Sequence, residues 1–332
     1  MTASTRTLTL GIDGGQTSTK AILVEPDGTV AGTGSGSPCD HLHGPGGYAK
    51  NRDAILSAAT AALAAANRPA SDIRAAGLGL TSAPREMGAD TTFRQMVDEF
   101  CTLDPGAFWV DADFVSNLAG ASAGGPGIVV IAGGGSIGYG VDETGREAIA
   151  GGLGYLMGDD GSGWYLGLHA IQAAARAYDL RGPETALLPF VLAHYGLSQI
   201  RDIIRIIYAE GFSRDRISSI ARDVVRIAGE GDPVAAEIVR TGAERLGDIA
   251  LGVARQLHAQ GEPVTVYPTG GVFASRDLVR APFAARIANR WPEATVAEPA
   301  FSPVVGAVIQ VWKASGEPIS SERLAHIAET LP

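Results

Sequence analysis

An apolar strand that enters a glycine turn and returns as a second strand occurs twice in this chain. The first copy spans residues 7–24 and turns at Asp-Gly-Gly, and the second spans residues 127–141 and turns at Gly-Gly-Gly. An acidic turn containing glycine follows each copy. Two common hairpins could also resemble each other by coincidence. The repetition predicts a duplicated β-meander whose two glycine turns could clamp a polyphosphate.

The size and charge of the chain restrict the class of protein. The 332 residues predict about two domains at roughly 150 residues each. Hydrophobic residues make up 45% and charged residues 19%, which is typical of folded globular proteins. The net charge is −10, and the sequence contains no long Lys/Arg run. We therefore expect no nucleic-acid partner, because neutralising phosphate charge supplies most of that affinity.

Helical and strand patterns alternate between and after the two hairpins. Helical spacing occurs over residues 52–66, 93–100 and 113–123 and in several segments between 164 and 260. Strand patterns occur at 73–80, 108–110 and 264–268, and a last helix begins near Val304. This arrangement predicts an α/β architecture.

The first glycine turn gathers groups suited to a nucleotide. Its glycines let the backbone approach phosphate oxygens, and Asp13, at the end of a strand, is suited to hold a hydrated Mg²⁺. A polar hairpin turn without a ligand is the alternative. The predicted cofactor-binding residues here are Asp13, Gly14, Gly15, Gln16, Thr17, Thr19 and Lys20.

The second glycine turn matches the dinucleotide pattern G-x-G-x-x-G in its letters only. That fingerprint requires a helix after the glycines, whereas Ile137–Val141 has the pattern of a strand. A phosphate-binding turn between two strands is favoured instead. The predicted cofactor-binding residues here are Gly133, Gly134, Gly135 and Ser136.

A long loop over residues 151–164 carries six glycines and two adjacent aspartates before a helical segment. Asp and Ser commonly cap helices, so capping is one interpretation. The loop is longer and richer in glycine than a cap requires. A carboxylate such as that of Asp159 could accept hydrogen bonds from sugar hydroxyls.

Two further positions suit a phosphoryl-transfer enzyme. Asp113 ends a short strand and starts a helix, so it fits a helix cap and a catalytic base equally well. Gly270 and Gly271 follow the strand at 264–268, where paired glycines would admit a flat adenine; an ordinary strand-to-helix turn is the alternative.

Other site types and locations are disfavoured. Cys39 and Cys101 form no disulfide framework, and neither they nor the histidines show metal-ligand spacing. The N-terminus has no apolar signal core, and no apolar run reaches about 18 residues. We expect a soluble cytoplasmic protein with no membrane partner.

Together these motifs resemble the acetate kinase/sugar kinase/Hsp70/actin superfamily. Within it, the chain is similar to the N-acetylglucosamine kinase branch, which is grouped with the BadF/BadG/BcrA/BcrD ATPases. The resemblance extends from about Thr7 to about Trp312. The two glycine turns match the phosphate motifs, residues 269–275 match the adenosine motif, and Pro303–Ala307 match the C-terminal connecting helix. The 151–164 loop is the most specific match.

The resemblance implies two ribonuclease H-like domains with ATP and substrate in a central cleft, as in the actin-like ATPase fold. The expected first domain comprises residues 1–115 and about 303–332, and the second comprises residues 116–302. By position, Asp113 is the base, Asp13 organises Mg²⁺ and Asp159 holds sugar hydroxyls. The adenosine motif adds Gly270, Gly271 and Ser275 to the cofactor site. The implied substrate-binding residues are Asp40, His41, Ser82, Gly151, Gly152, Asp159 and Ser162.

The implied activity is phosphorylation of an amino sugar, on O6, by ATP and Mg²⁺. This chain departs from the branch at Leu153 (often Trp), Gly134 (usually Thr) and Asp160 (Glu). Asp40 lies roughly where amino-sugar kinases often have Asn, and its charge would favour a free amine, as in glucosamine, over an acetamide. An ATPase that activates a partner enzyme is the alternative, although such activators usually carry cluster-bridging cysteines. A homodimer is common in similar proteins.

Overall fold

The chain divides into two units, and each unit is built on a five-stranded sheet. The computed structural model describes residues 7–39, 42, 44–81, 83, 89–209 and 213–332. The first unit comprises Met1–Pro126 and Glu298–Pro332, and the second comprises Gly127–Ala297. The expected boundary after residue 115 falls inside the helix Asp113–Ala121, which belongs to the first unit as a whole.

The sheet of the first unit combines an antiparallel meander with two parallel strands. Its strands are β1 (Leu8–Gly14), β2 (Thr19–Val24), β3 (Val30–Gly36), β4 (Ile73–Leu80) and β5 (Phe108–Ala112). The strand order is β3-β2-β1-β4-β5. β1, β2 and β3 pair antiparallel, whereas β4 and β5 run parallel to β1.

The sheet of the second unit repeats this arrangement strand for strand. Its strands are β6 (Gly127–Ala132), β7 (Ser136–Val141), β8 (Glu147–Gly151), β9 (Val264–Thr269) and β10 (Ala294–Val296). The order is β10-β9-β6-β7-β8, with an antiparallel meander and two parallel strands. The predicted duplication of the meander is therefore present in the structure. The sequence patterns did not predict β8 and β10, which are short.

Helices cover both faces of the first sheet. Numbered along the whole chain, they are α1 (Gly47–Ala66), α2 (Ala89–Asp98), α3 (Asp113–Ala121), α11 (Pro303–Ser315) and α12 (Ser321–Thr330). One hydrophobic cluster joins the strands to α1 and α2, and another joins them to α11 and α12. α11 begins one residue before the predicted start of the last helix, and α12 was not predicted.

Close packing of α1 on the sheet explains an unusual strand sequence. β3 has glycine at every second position, at Gly32, Gly34 and Gly36. A methyl group at Gly32 would lie 2.6 Å from the Ala62 carbonyl oxygen, and one at Gly36 would lie 2.6 Å from that of Ala54. Glycines on the strand and alanines on the helix thus let the two backbones approach closely.

The helices of the second unit include a long one. They are α4 (Gly163–Tyr178), α5 (Leu187–Tyr195), α6 (Ile204–Ile207), α7 (Asp215–Ser218), α8 (Ala221–Gly229), α9 (Pro233–Leu257) and α10 (Ala281–Arg290). The long helix, α9, packs against α4, α8 and α10. Asp232 caps α9 by accepting the Val234 and Ala235 N–H groups at 3.0 and 2.8 Å. Within the segments between 164 and 260 that have helical spacing, residues 199–209 form only a 3₁₀ turn (Ile200–Ile203) followed by α6. In the described part of the chain, every helix is too short or too polar to span a bilayer.

Candidate functional site

Three neighbouring parallel strands bring polar groups to one edge of the first sheet. Asp13 of β1 lies opposite Gly79 of β4, which lies opposite Asp111 of β5. Thr81 directly follows β4, and Asp113 directly follows β5. Ligands of open α/β sheets bind beyond the carboxyl ends of such strands. This edge is therefore a candidate catalytic site.

The two carboxylates of this edge influence each other. Burial raises the pKa of Asp13 to about 6, with a further contribution from the charge of Asp113 that Lys20 partly offsets. Burial also raises the pKa of Asp113, although hydrogen bonds from the Thr81 hydroxyl and the Phe114 backbone oppose the shift. Two partly desolvated acids at one edge favour a proton or a cation between them.

The carboxylates at this edge of the sheet can supply only part of the coordination shell of a Mg²⁺ ion. The described residues contain no group of three or more His, Cys, Asp or Glu side chains that could hold a metal ion. Mg²⁺ is usually held by one or two carboxylates together with waters and substrate phosphates. Asp13 matches that requirement as a single carboxylate, so it could hold a magnesium ion that arrives with a nucleotide.

The first glycine turn is shaped by its packing. A methyl group at Gly14 would lie 2.5 Å from Leu80 Cδ2 and 2.6 Å from Cys39 Sγ. Only glycine therefore fits at this position without a shift of its neighbours. Beyond it, Gln16 and Thr17 are exposed at the tip, where they and their backbone are accessible to a ligand.

Thr19 is the predicted residue of this turn whose surroundings differ most from the expectation. Its side chain is fully buried, and its hydroxyl donates to the Ser37 carbonyl at 2.7 Å. Cys39 Sγ lies 3.4 Å from the same hydroxyl. Thr19 thus ties the hairpin to the segment after β3 instead of offering a donor to an exposed ligand. Lys20, across the ladder from Asp13, is exposed.

The second glycine turn is fixed from behind by α4. The carbonyl groups of Gly133 and Gly134 accept the N–H groups of Gly163 and Trp164 at 2.8 and 3.1 Å. Within the turn, the Gly133 N–H donates to the Gly135 carbonyl at 2.9 Å. Gly134 is exposed at the tip. The turn therefore has a defined shape and one accessible face.

Asp159 supports this turn through both of its carboxylate oxygens. Oδ1 accepts the Ser136 N–H at 3.0 Å, and Oδ2 lies 3.3 Å from Nη1 of Arg214. The side chain is only 4% exposed, and the backbone is left-handed with φ 59°. The Ser136 hydroxyl donates to the Asp160 carbonyl at 2.7 Å. Both Asp159 and Ser136 were predicted to contact ligands, and in this structure they join the glycine turn to the long loop.

The rest of the long loop separates into a buried end and an exposed end. Ser162 is fully buried and accepts the Tyr165 N–H at 3.2 Å, so it is the helix cap of α4 and does not fit the predicted contact with a sugar. Gly151 and Gly152 are exposed and have φ near +70°. A cavity of 590 Å³ lies between this loop and α9.

The predicted adenosine motif lies against the second glycine turn. A methyl group at Gly270 would collide with the Ala132 carbonyl oxygen, and φ is 96° at this position. Gly271 is exposed, and Ser275 caps the following π-helical turn by accepting the Leu278 N–H at 3.3 Å. Among the described residues, the buried Thr269 hydroxyl has no hydrogen-bond partner. This orphaned group is compatible with a ligand next to the paired glycines.

Some predicted positions cannot be placed, and two residues were not predicted. Asp40, His41 and Ser82 lie outside the described residues.

Two candidate site residues, Arg214 and Asn117, were not predicted from the sequence. Asn117 lies one helical turn after Asp113, and its buried amide oxygen has no partner within the described ranges. The spacing of Asn117 from Asp113 could have identified it from the sequence. No sequence pattern distinguishes Arg214 from the other arginines near short polar helices.

Comparison with known proteins assigns the chain to a family. The model of the BadF/BadG/BcrA/BcrD ATPase family matches residues 10–310. The chain belongs to this family. Membership of the BadF/BadG/BcrA/BcrD ATPases supports the predicted use of ATP.

Two relatives of this BadF/BadG/BcrA/BcrD ATPase are named as amino-sugar kinases. An N-acetylmuramic acid/N-acetylglucosamine kinase of Clostridium acetobutylicum is 33% identical over 58% of this chain, and the match spans only 63% of that relative. An N-acetyl-D-glucosamine kinase of Dictyostelium discoideum is 24% identical over 90% of this chain and 96% of its own length.

A solved structure confirms the fold class predicted for this BadF/BadG/BcrA/BcrD ATPase. It comes from Chromobacterium violaceum and is provisionally assigned as an N-acetylglucosamine kinase. It is 28% identical to this chain with a TM-score of 0.73, and the match covers 92% of this chain and 99% of that one. The predicted class, two ribonuclease H-like α/β units of the actin-like ATPase type, is therefore confirmed.

Proposed function

We propose that the protein is an ATP-dependent kinase that phosphorylates a hydroxyl, O6, of an amino sugar. The observation that carries this proposal is the pair of partly buried carboxylates at the carboxyl ends of parallel strands, with Asp13 in the last turn-side residues of β1 and Asp113 directly after β5. Such a pair supplies a base and a magnesium ligand, which phosphoryl transfer requires together with correct positioning. Family membership and the named relatives support the same chemistry.

In this proposal Asp113 is the catalytic base. As the sugar oxygen forms its bond to the γ-phosphorus, the bond from that phosphorus to the β–γ bridging oxygen breaks and ADP leaves. The proton of the sugar hydroxyl passes to the Asp113 carboxylate. A raised pKa makes this carboxylate a stronger base than a solvated aspartate, while Thr81 keeps it oriented.

Asp13 is the proposed magnesium ligand. Mg²⁺, when bound, neutralises phosphate charge and the mutual repulsion of the two carboxylates. Asp13 is suited to this because its pKa of about 6 still leaves it ionised at neutral pH. The exposed tips of the two glycine turns would bind phosphate oxygens, and Gly270 and Gly271 would lie beneath the adenine.

The amino-sugar class is proposed from the named relatives and from the long loop. Two of those relatives are named for N-acetylated sugars. Asp40, whose charge was expected to favour the free amine of glucosamine, lies outside the described residues. N-acetylglucosamine and glucosamine are therefore both substrates to be tested. Gly151 and Gly152 remain the proposed sugar contacts, whereas both carboxylate oxygens of the buried Asp159 are engaged by Ser136 and Arg214.

The test is ADP release from Mg-ATP with N-acetylglucosamine, glucosamine, other hexoses or no sugar. We expect strong stimulation by one amino sugar, and mass spectrometry or NMR of the product should place the phosphate on O6. The 6-deoxy analogue of that sugar is the matched control and should give no product. Sugar-independent hydrolysis would contradict the proposal and favour the partner-activating ATPase.

A further inference from the structure

We propose that Arg214 is a phosphate-contacting residue of the nucleotide site, held beside the second glycine turn by Asp159. This inference rests on the proposed function, because it assumes that the second glycine turn receives nucleotide phosphates. The ligand chemistry is the β-phosphate of an adenine nucleotide.

The position of the guanidinium group is the first argument. Nη2 of Arg214 lies 4.0 Å from the place that a methyl group on Gly134 would occupy. Gly134 is the exposed tip of the turn, and the Arg214 side chain is itself 24% exposed. A phosphate oxygen bound to the tip would therefore lie within reach of this guanidinium.

The ion pair with Asp159 is the second argument. Its 3.3 Å separation is longer than the roughly 2.7–2.9 Å of a strong charge-assisted hydrogen bond. The Asp159 carboxylate is also shared with the Ser136 N–H. Because a guanidinium carries five N–H donors, Arg214 can keep this contact while it bonds to a phosphate oxygen. Asp159 thus orients the cation beside the turn.

The platform that carries Arg214 is the third argument. Arg214 directly precedes α7, and the backbone of Ile217 in α7 packs against Gly167 of α4 without room for a side chain. α4 is also the helix whose first N–H groups hold Gly133 and Gly134. The arginine and the glycine turn are therefore fixed to the same helix, which sets the distance between them.

Nucleotide binding tests the proposal directly. Calorimetry should compare Mg-ADP with adenosine for the wild type, Arg214→Ala, Arg214→Lys and Arg216→Ala. Arg216 is the matched control, because it is an exposed arginine on the same short helix. We expect Arg214→Ala to weaken ADP binding by about 10–100-fold and adenosine binding by less than about 2-fold. Arg214→Lys should fall between, and Arg216→Ala should bind like the wild type.

The opposite results are equally defined. Unchanged ADP affinity in Arg214→Ala, or an equal loss for ADP and adenosine, overturns the proposal, and so does a wild type that binds ADP no better than adenosine. If Arg214→Ala fails to fold, ADP affinity of the lysine variant equal to that of the wild type overturns it.

This measurement also separates the two proposals. It needs no sugar, so a wild type that prefers ADP over adenosine but shows no sugar-stimulated turnover contradicts the kinase proposal alone. An ADP-selective loss in Arg214→Ala would then still support the phosphate contact.

Discussion

The two units share one strand ladder but differ in the chemistry at their glycine turns. In the first unit the acidic group, Asp13, belongs to the hairpin strand β1 itself, and Asp113 follows β5, which is separated from β1 by β4. In the second unit the turn is all glycine, and its acid, Asp159, comes from a separate loop together with Arg214. The first turn therefore lies beside two negatively charged carboxylates, whereas the carboxylate beside the second turn forms an ion pair with an arginine.

This difference shows that the same pattern of strand pairing can carry different reactive side chains at its turns. The backbone pairing is repeated because a meander plus two parallel strands buries a sheet well. The reactive groups are placed in connections, which change without disturbing the ladder. In our proposal the first unit supplies the base, the magnesium ligand and one phosphate-binding turn, whereas the second supplies the other phosphate-binding turn and the sugar contacts.

The largest expected effect comes from Asp113→Asn. The amide cannot accept the proton, so ADP formation should fall by about 10²–10⁴-fold. Binding of Mg-ADP, measured by calorimetry, should change little because the glycine turns stay intact. Turnover near the wild-type rate would remove the catalytic role from the first unit.

The next largest effect tests whether Asp159 supports the second turn. Asp159→Ala leaves the Ser136 N–H and Arg214 without their buried partner, which should cost about 2–4 kcal/mol of unfolding free energy. Denaturant unfolding measures this loss. A side chain that served only as a sugar ligand would instead raise the KM for the sugar with no change in stability.

A pair of glycine substitutions compares the two turns directly. Gly14→Ala forces a methyl group against Leu80 and Cys39, and should destabilise the protein by about 1–3 kcal/mol. Gly133→Ala meets no atom within 4 Å and should change the stability by less than about 0.5 kcal/mol. Thermal unfolding of both variants is the measurement. Equal losses would contradict the difference in packing.

A pH dependence of stability is expected from Asp13 of the first turn. The pKa of Asp13 is about 6 in the fold against an ordinary value of 3.8, so the folded state binds more protons between these values. The stability contributed by this group is present below about pH 4 and declines as pH rises to about 6. Asp13→Asn removes this residue's share of the decline, and should stabilise the metal-free protein at pH 7.5 by about 1–3 kcal/mol.

The measurement is the difference in unfolding free energy between Asp13→Asn and wild type at about pH 4.5 and about pH 7.5, without Mg²⁺. The difference should grow with pH. A constant difference would show that the carboxylate is not desolvated as described.

The fold was largely predictable because its signals are local. Apolar strands around glycine turns and the ordered change between strand and helix periods identified the duplicated meander. Four elements were not predicted. β8 runs directly into a glycine-rich loop, β10 has only three residues, and α10 and α12 have only ten residues each.

The site was predictable only where function depends on position along a strand. Asp13 and Asp113 follow from strand ends, and their closeness follows from parallel pairing. The ion pair of Asp159 with Arg214 joins segments far apart in sequence, so no local pattern could show it. Ser162 and Thr19 illustrate the converse, because a hydroxyl that caps a helix or a loop has the same local sequence as one that binds a ligand.

The bonds between the second glycine turn and α4 have an electrostatic consequence. A helix N-terminus carries a partial positive charge that many proteins direct at a bound anion. In this chain the first N–H groups of α4 are directed at the carbonyl oxygens of Gly133 and Gly134. The helix macrodipole thus orients the turn, and an anion at Gly134 must obtain its attraction from side chains and turn amides.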